Sequence, residues 1–79
     1  MSARYIGSDV AKAQLEIAVH GEATTEQVAN DEPGIAALLA RCEKQPPTLV
    51  VLEATGGYEL ALVSALGAAG LPVVVVNPR

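Results

Sequence analysis

Two acids stand where strands end. Glu53 closes the run Thr48-Leu49-Val50-Val51-Leu52, and Ala54-Thr55-Gly56-Gly57-Tyr58 follows it. Asp9 closes a shorter run, Tyr5-Ile6-Gly7-Ser8, just ahead of Val10. Aspartate is a poor strand former, so its presence there asks for a reason. If the two strands are neighbours and parallel, the acids lie about 4.8 Å apart in the pairing direction. Two anions that close repel unless a proton or a cation sits between them. Hard carboxylate oxygens suit Mg²⁺ or Mn²⁺. A pair of such ions about 4 Å apart activates a hydroxyl and stabilises the leaving oxygen in phosphodiester transfer. The plainer reading is that Asp9 opens a turn and Glu53 caps the helix after it. Isolated acids at strand ends are common, and spacing alone favours that plainer reading.

The elements that must position these acids follow from periodicity. The Glu53 run does not alternate, which predicts a strand covered on both faces. Arg4 to Val10 reads as a first strand, in which Gly7 marks a weak point or a close backbone approach. Ala11-Lys12-Ala13 is a turn. Gln14 to His20 alternates, with Leu15, Ile17 and Val19 on one face, and predicts a strand with one covered side. Gly21-Glu22 turns the chain into a more polar strand, Ala23 to Ala29, suited to an edge. Asn30 or Asp31 caps a helix whose first turn tolerates Pro33. Ile35, Leu38, Leu39 and Cys42 form its apolar stripe, and Arg41 and Lys44 favour its last turn. Pro46-Pro47 ends it.

Past the glycine pair, Tyr58 to Ala69 reads as a helix apolar on nearly every side. Gly70 takes the left-handed position after it, Leu71 folds back on Leu66, and Pro72 prevents continuation. Val73 to Val76 is a last strand. The expected fold is an α/β mixed sheet of order β-β-β-α-β-α-β. Three strands form an antiparallel meander, and two right-handed crossovers add parallel strands with both helices on one face. If the fourth strand pairs with the first, the spatial order is 3-2-1-4-5.

Composition sets the outer bounds. The 79 residues make one domain at most, 51% hydrophobic, with an aliphatic core and neither Phe nor Trp. The single Cys42 excludes an internal disulfide and a cysteine-rich zinc site, and it fits a reducing compartment. The first residues show no basic stretch followed by an apolar run and cleavage site, which predicts a chain that is not secreted. Leu60 to Val76 is apolar, but Gly67, Gly70 and Pro72 interrupt it, and it falls short of the roughly 20 residues of a spanning helix. These features predict a cytoplasmic chain with no membrane partner. With a net charge of −4 and scattered basic residues, the chain alone is a poor nucleic-acid binder.

Tyr5-Ile6-Gly7-Ser8-Asp9-Val10-Ala11-Lys12, followed by Leu52-Glu53-Ala54-Thr55-Gly56-Gly57-Tyr58, resembles the start of the DEDD-type insertion-sequence transposases of the IS110 group. Leu71-Pro72-Val73 and Val76-Asn77-Pro78-Arg79 match their usual continuation, so the resemblance covers essentially all 79 residues. These proteins begin with a RuvC-like domain of ribonuclease H-like fold, which agrees with the strand order above. The resemblance implies that Asp9 and Glu53 are the first two catalytic, metal-binding acids of a tetrad that uses Mg²⁺ or Mn²⁺. The family usually carries Ile where Ser8 stands. Its third and fourth acids, and a C-terminal domain with a conserved serine, belong beyond Arg79. Residues 1–79 are therefore expected to be an N-terminal part of the catalytic domain, holding metal weakly and cutting nothing alone. DNA is the implied partner of the full-length protein, with little or no binding by this part.

Other residues carry weaker signals. Lys12, Thr55, Gly56 and Gly57 are candidates for a DNA or phosphate contact. Gly56-Gly57 ahead of a helix could cradle a phosphate, which would suit a nucleotide-binding piece of an actin-like or sugar-kinase fold. That reading wants a glycine-rich hairpin after Asp9, and Val10-Ala11-Lys12-Ala13 does not supply one. Thr55 could equally cap the helix. His20 has no partner at ligand spacing and reads as a surface residue; Cys42 reads as core and Tyr58 as packing. A sheet covered on one face, with an open edge at Val73 to Val76, predicts a homodimer. A non-catalytic dimerisation module is thus the third reading.

Overall fold

A computed structural model describes residues 3–54 and 56–77. Strands β1 (Tyr5–Val10), β2 (Gln14–Val19) and β3 (Thr25–Ala29) come first, then helix α1 (Glu32–Lys44). Strand β4 (Leu49–Ala54), helix α2 (Leu60–Ala68) and strand β5 (Val73–Val76) follow. They form one mixed sheet in the order β3-β2-β1-β4-β5. The meander β1-β2-β3 is antiparallel, and β4 and β5 add in parallel. This is the expected 3-2-1-4-5 arrangement. Small differences lie at element ends. The second strand stops at Val19, where the Glu22 N–H closes a turn on the Val19 carbonyl at 2.9 Å. The second helix starts at Leu60 instead of Tyr58. Gly56 and Gly57 both hold positive φ, at 74° and 81°, and keep the backbone in a turn until then.

Alternation along β1, β2 and β4 sends one set of side chains into a single core. Ile6 and Val10, Leu15, Ile17 and Val19, and Val50, Leu52 and Ala54 meet Ile35, Leu38, Cys42, Leu62 and Leu66 from the two helices. Both helices therefore cover one face, as right-handed crossovers require. Among the described residues β4 is covered on one face, as two helices on the same side predict, and not on both, as its unbroken apolar run suggests. Leu49 and Val51 on its other side are half-buried and Glu53 is exposed, because among the described residues only neighbouring strands flank them there. Burial pushes the Cys42 thiol pKa up, against smaller opposing effects from Arg4 and Arg41.

The entry of α1 is tightly specified. Asp31, in extended conformation, caps the helix by accepting the Gly34 N–H at 2.9 Å. A Cβ on Gly34 would stand 1.8 Å from the Ala29 carbonyl oxygen, so only glycine lets the helix start lie against β3. Further along, Arg41 pairs with Glu26 of β3. That pair is substantially exposed and contributes at most about 1 kcal/mol. At the far end of α2, Gly70 (φ 75°) sits in the left-handed region. Its N–H bonds the Gly67 carbonyl, and Leu71 N–H bonds the Leu66 carbonyl, both at 3.0 Å. These two bonds are those of a Schellman motif.

Ser8 is the one polar residue in the buried interior of the described residues, and its hydroxyl has no hydrogen-bond partner among them. Two stability outcomes follow from these contacts. Gly34→Ala gains about 1 kcal/mol of helix propensity but must push aside a backbone carbonyl, so it should lose about 3 kcal/mol. Thermal denaturation should show a fall of more than about 10 °C for a domain of this size. Ser8→Ala removes a desolvated hydroxyl and should raise stability by about 1 kcal/mol in urea unfolding; an unchanged midpoint would mean that the hydroxyl is satisfied in solution.

Candidate functional site: an acidic row at the rim of the sheet

In the parallel ladder of β1 and β4, Asp9 lies directly opposite Glu53. The rungs on either side pair Ser8 with Leu52 and Val10 with Ala54, and all four of those residues are buried. With a side-chain period of two, burying the flanking rungs forces both acids onto the opposite, uncovered face. Both are exposed there. The two acids singled out in the sequence are thus brought together, side by side and facing solvent. Val10 and Ala54 are the last residues of their strands, so the acid rung is at the carboxyl end of both.

A third acid shares the row. Glu16 is opposite Asp9 in the antiparallel ladder, so the rung reads Glu16, Asp9, Glu53, Val76 from β2 to β5. In the sequence Glu16 is only a polar residue on the open side of an alternating strand. A signal for its position existed: a tight turn at Ala11-Lys12-Ala13 fixes the hairpin register and pairs Val10 with Leu15 and Asp9 with Glu16. Even so, among the described residues no group of three or more His, Cys, Asp and Glu side chains is arranged to hold a metal ion. The pair Asp9 and Glu53 offers hard oxygen donors to Mg²⁺ or Mn²⁺, but an octahedral shell needs oxygens beyond these two residues.

Beside the acids the uncovered face sinks into a depression of about 230 Å³, lined in part by Gly7, Asp9, Glu16, Val51 and Glu53. Gly7 lies between Ala18 and Val51 on the next rung of that face. A Cβ at Gly7 would meet nothing within 4 Å. Of the two readings of Gly7, a close approach is not seen among the described residues; the missing side chain leaves the floor open.

The loops beyond the acids are held in place. Lys12 is exposed in the turn after β1, which the Ala11 N–H closes on the Gln14 carbonyl at 3.0 Å. Gly56 and Gly57 are exposed, and their positive φ values account for them as turning residues. Thr55 lies outside the described residues. The ring of Tyr58 lies over Gly56, where it would stand 3.3 Å from an added Cβ, yet it remains about half exposed at 45%. Tyr58 is thus less of a packing residue than its sequence position indicated. Asn30, expected as an alternative helix cap, instead sends its side-chain amide to the carbonyls of Ala11 (2.9 Å) and Tyr58 (3.1 Å). His20 is on the surface, edge-on to Tyr5 with ring centroids 6.2 Å apart.

The model of the DEDD transposase family of the IS110 group, described as Transposase, matches residues 6–79. The chain belongs to this family. Among solved structures, it is similar to Thermus thermophilus RuvC in complex with a Holliday junction substrate, with a TM-score of 0.74 and 18% identity. That alignment covers 98% of this chain and 66% of the RuvC chain. A second Thermus thermophilus RuvC structure aligns with a TM-score of 0.62 and 21% identity, over 95% of this chain and 62% of RuvC. No curated protein matches. The fold of this transposase-family chain is therefore RuvC-like, of the ribonuclease H-like class, and the chain spans a little under two thirds of the RuvC length it aligns with. None of its described helices is long and apolar enough to cross a membrane.

Proposed function

We propose that this chain supplies the first two acids of a metal-dependent phosphodiester-transfer site in a DNA transposase, and that it is the N-terminal part of a RuvC-like catalytic domain. The observation that carries this reading is the shared rung of Asp9 and Glu53 at the carboxyl end of two parallel strands. Membership of a transposase family supplies the reaction class. The relative solved on a Holliday junction supports DNA as the substrate class.

Asp9 and Glu53 would hold the Mg²⁺ or Mn²⁺, which when bound supplies Lewis-acid stabilisation of the charge that builds on the transferring phosphate. The chain's own contribution is positional. Register holds the two carboxylates side by side, and the sheet presents them on the uncovered face, where a DNA backbone can approach. Gly7 keeps the surface beside them low. Lys12 is placed in the turn after Asp9 to meet a phosphate, and the Gly56-Gly57 turn follows Glu53. Two carboxylates leave the metal shell short of oxygens, so further acids from the same protein are part of this reading, and residues 1–79 alone hold metal weakly and do not cut DNA.

A second reading has its own observation. Val74, Val75 and Val76 of the edge strand β5 are each about 40% exposed, and an unpaired apolar edge favours association. A homodimer through this edge or the uncovered face is compatible with the metal reading and is also what a non-catalytic assembly module would form. The nucleotide-phosphate reading draws no such support, because the positive φ values of Gly56 and Gly57 already explain that pair.

NMR titration with Mg²⁺ should shift the signals of Asp9 and Glu53 selectively at millimolar concentration. Asp9→Asn or Glu53→Gln should weaken the response about tenfold or more, and wild-type chain should leave duplex and junction DNA intact. A uniform or absent response would defeat the metal reading, and Mg²⁺-dependent cleavage would defeat the claim that two acids do not suffice. Light scattering at micromolar concentration should give twice the monomer mass, with Val74→Lys shifting the chain towards monomer; a monomeric wild type would remove the homodimer.

A further inference from the structure

Asn30 makes three contacts that no helix cap requires. Its backbone N–H bonds the Ala13 carbonyl at 3.0 Å. Its side-chain nitrogen donates to the Ala11 carbonyl at 2.9 Å and to the Tyr58 carbonyl at 3.1 Å. Ala11 follows the strand that carries Asp9, and Tyr58 belongs to the turn that follows the strand carrying Glu53. Capping of α1 is performed by the neighbouring Asp31. The Asn30 amide is thus free to span two loops separated by 47 residues of sequence (58 − 11). A primary amide suits the task, because it offers two protons to two carbonyls.

We propose that Asn30 is a positioning residue for the acid pair: it ties the turn after Asp9 to the turn after Glu53 and so fixes the carboxyl ends of β1 and β4 relative to each other. Ladder bonds set which residues face each other, but they end with the strands at Val10 and Ala54, one residue beyond each acid. Strand ends fray unless something holds the chain that leaves them. Asn30 holds both departing chains from one side chain. Substrate-positioning chemistry tolerates little looseness in the groups that carry a metal. The inference rests on the carboxylate-pair reading for its consequence, though the bridge itself does not.

The test compares the 79-residue wild type with Asn30→Ala and with Asp31→Ala, which removes the adjacent helix cap and lowers stability without removing the amide. Without metal, Asn30→Ala should move the backbone resonances of Ala11, Tyr58, Asp9 and Glu53, whereas Asp31→Ala should not. Equal movement in both variants would reduce Asn30 to a general structural residue and overturn the proposal. With Mg²⁺, Asn30→Ala should bind about tenfold more weakly than either wild type or Asp31→Ala. Wild-type affinity in Asn30→Ala would overturn the positioning role while leaving the acid pair intact. If wild type shows no response to Mg²⁺, the carboxylate-pair reading fails, and the metal-free comparison alone decides whether Asn30 fixes the two strand ends.

Discussion

The parallel register between β1 and β4 is the constraint on which the site depends. It pairs Asp9 with Glu53 only because Ser8 with Leu52 and Val10 with Ala54 occupy the flanking rungs. Those flanking residues are buried against the helices. A one-residue slip of either strand would turn its acid into an aliphatic core and expose Leu52 or Val10. Burying an unpaired carboxylate is far costlier than any gain available from repacking a Val or a Leu. The hydrophobic core and the acid pair are therefore one specification: whatever stabilises the fold also places the two carboxylates on the same side.

The start of α1 extends that control from the strands to the loops. Three consecutive functions fall within residues 30–34. Asn30 bonds the turns after β1 and β4, Asp31 caps the helix, and Gly34 allows the helix to lie against the Ala29 carbonyl. The packing of α1 on β3 and the geometry of the rim are consequently coupled. A side chain at position 34 would press on the Ala29 carbonyl at the end of β3, next to Asn30.

Much of this was readable in the sequence, for physical reasons that differ by element. Alternation at Gln14–Val19, the stripe from Ile35 to Cys42, and the Gly70-Leu71-Pro72 stop are local signals, and local signals determined these elements. The strand order followed from short turns and handed crossovers. Two features escaped. The Asn30 bridge depends on partners 19 and 28 residues away in sequence, which no local pattern encodes; the residue reads as a cap because capping is what asparagine does before a helix. Coverage of β4 was overestimated because a continuous apolar run reports hydrophobicity without saying how many layers will meet it. Glu16 lay between these cases: its register was deducible, but a polar residue on the solvent side of an amphipathic strand carries no sign of its own.

The distribution of exposed apolar surface bears on how such a site works. The acids sit on a face where Val51 is half-buried and Val74 and Val76 are exposed. Water reaches the carboxylates freely there, and exposed charges in high dielectric attract a cation only modestly. Covering that face would exclude water, lower the local dielectric and strengthen the hold of two carboxylates on a divalent ion. The apolar residues around the acid row are what a covering layer would bury, so the same contact that hides valine would strengthen the proposed hold of the two acids on a cation. If the acid pair holds a metal as proposed, covering this face would be coupled energetically to metal binding.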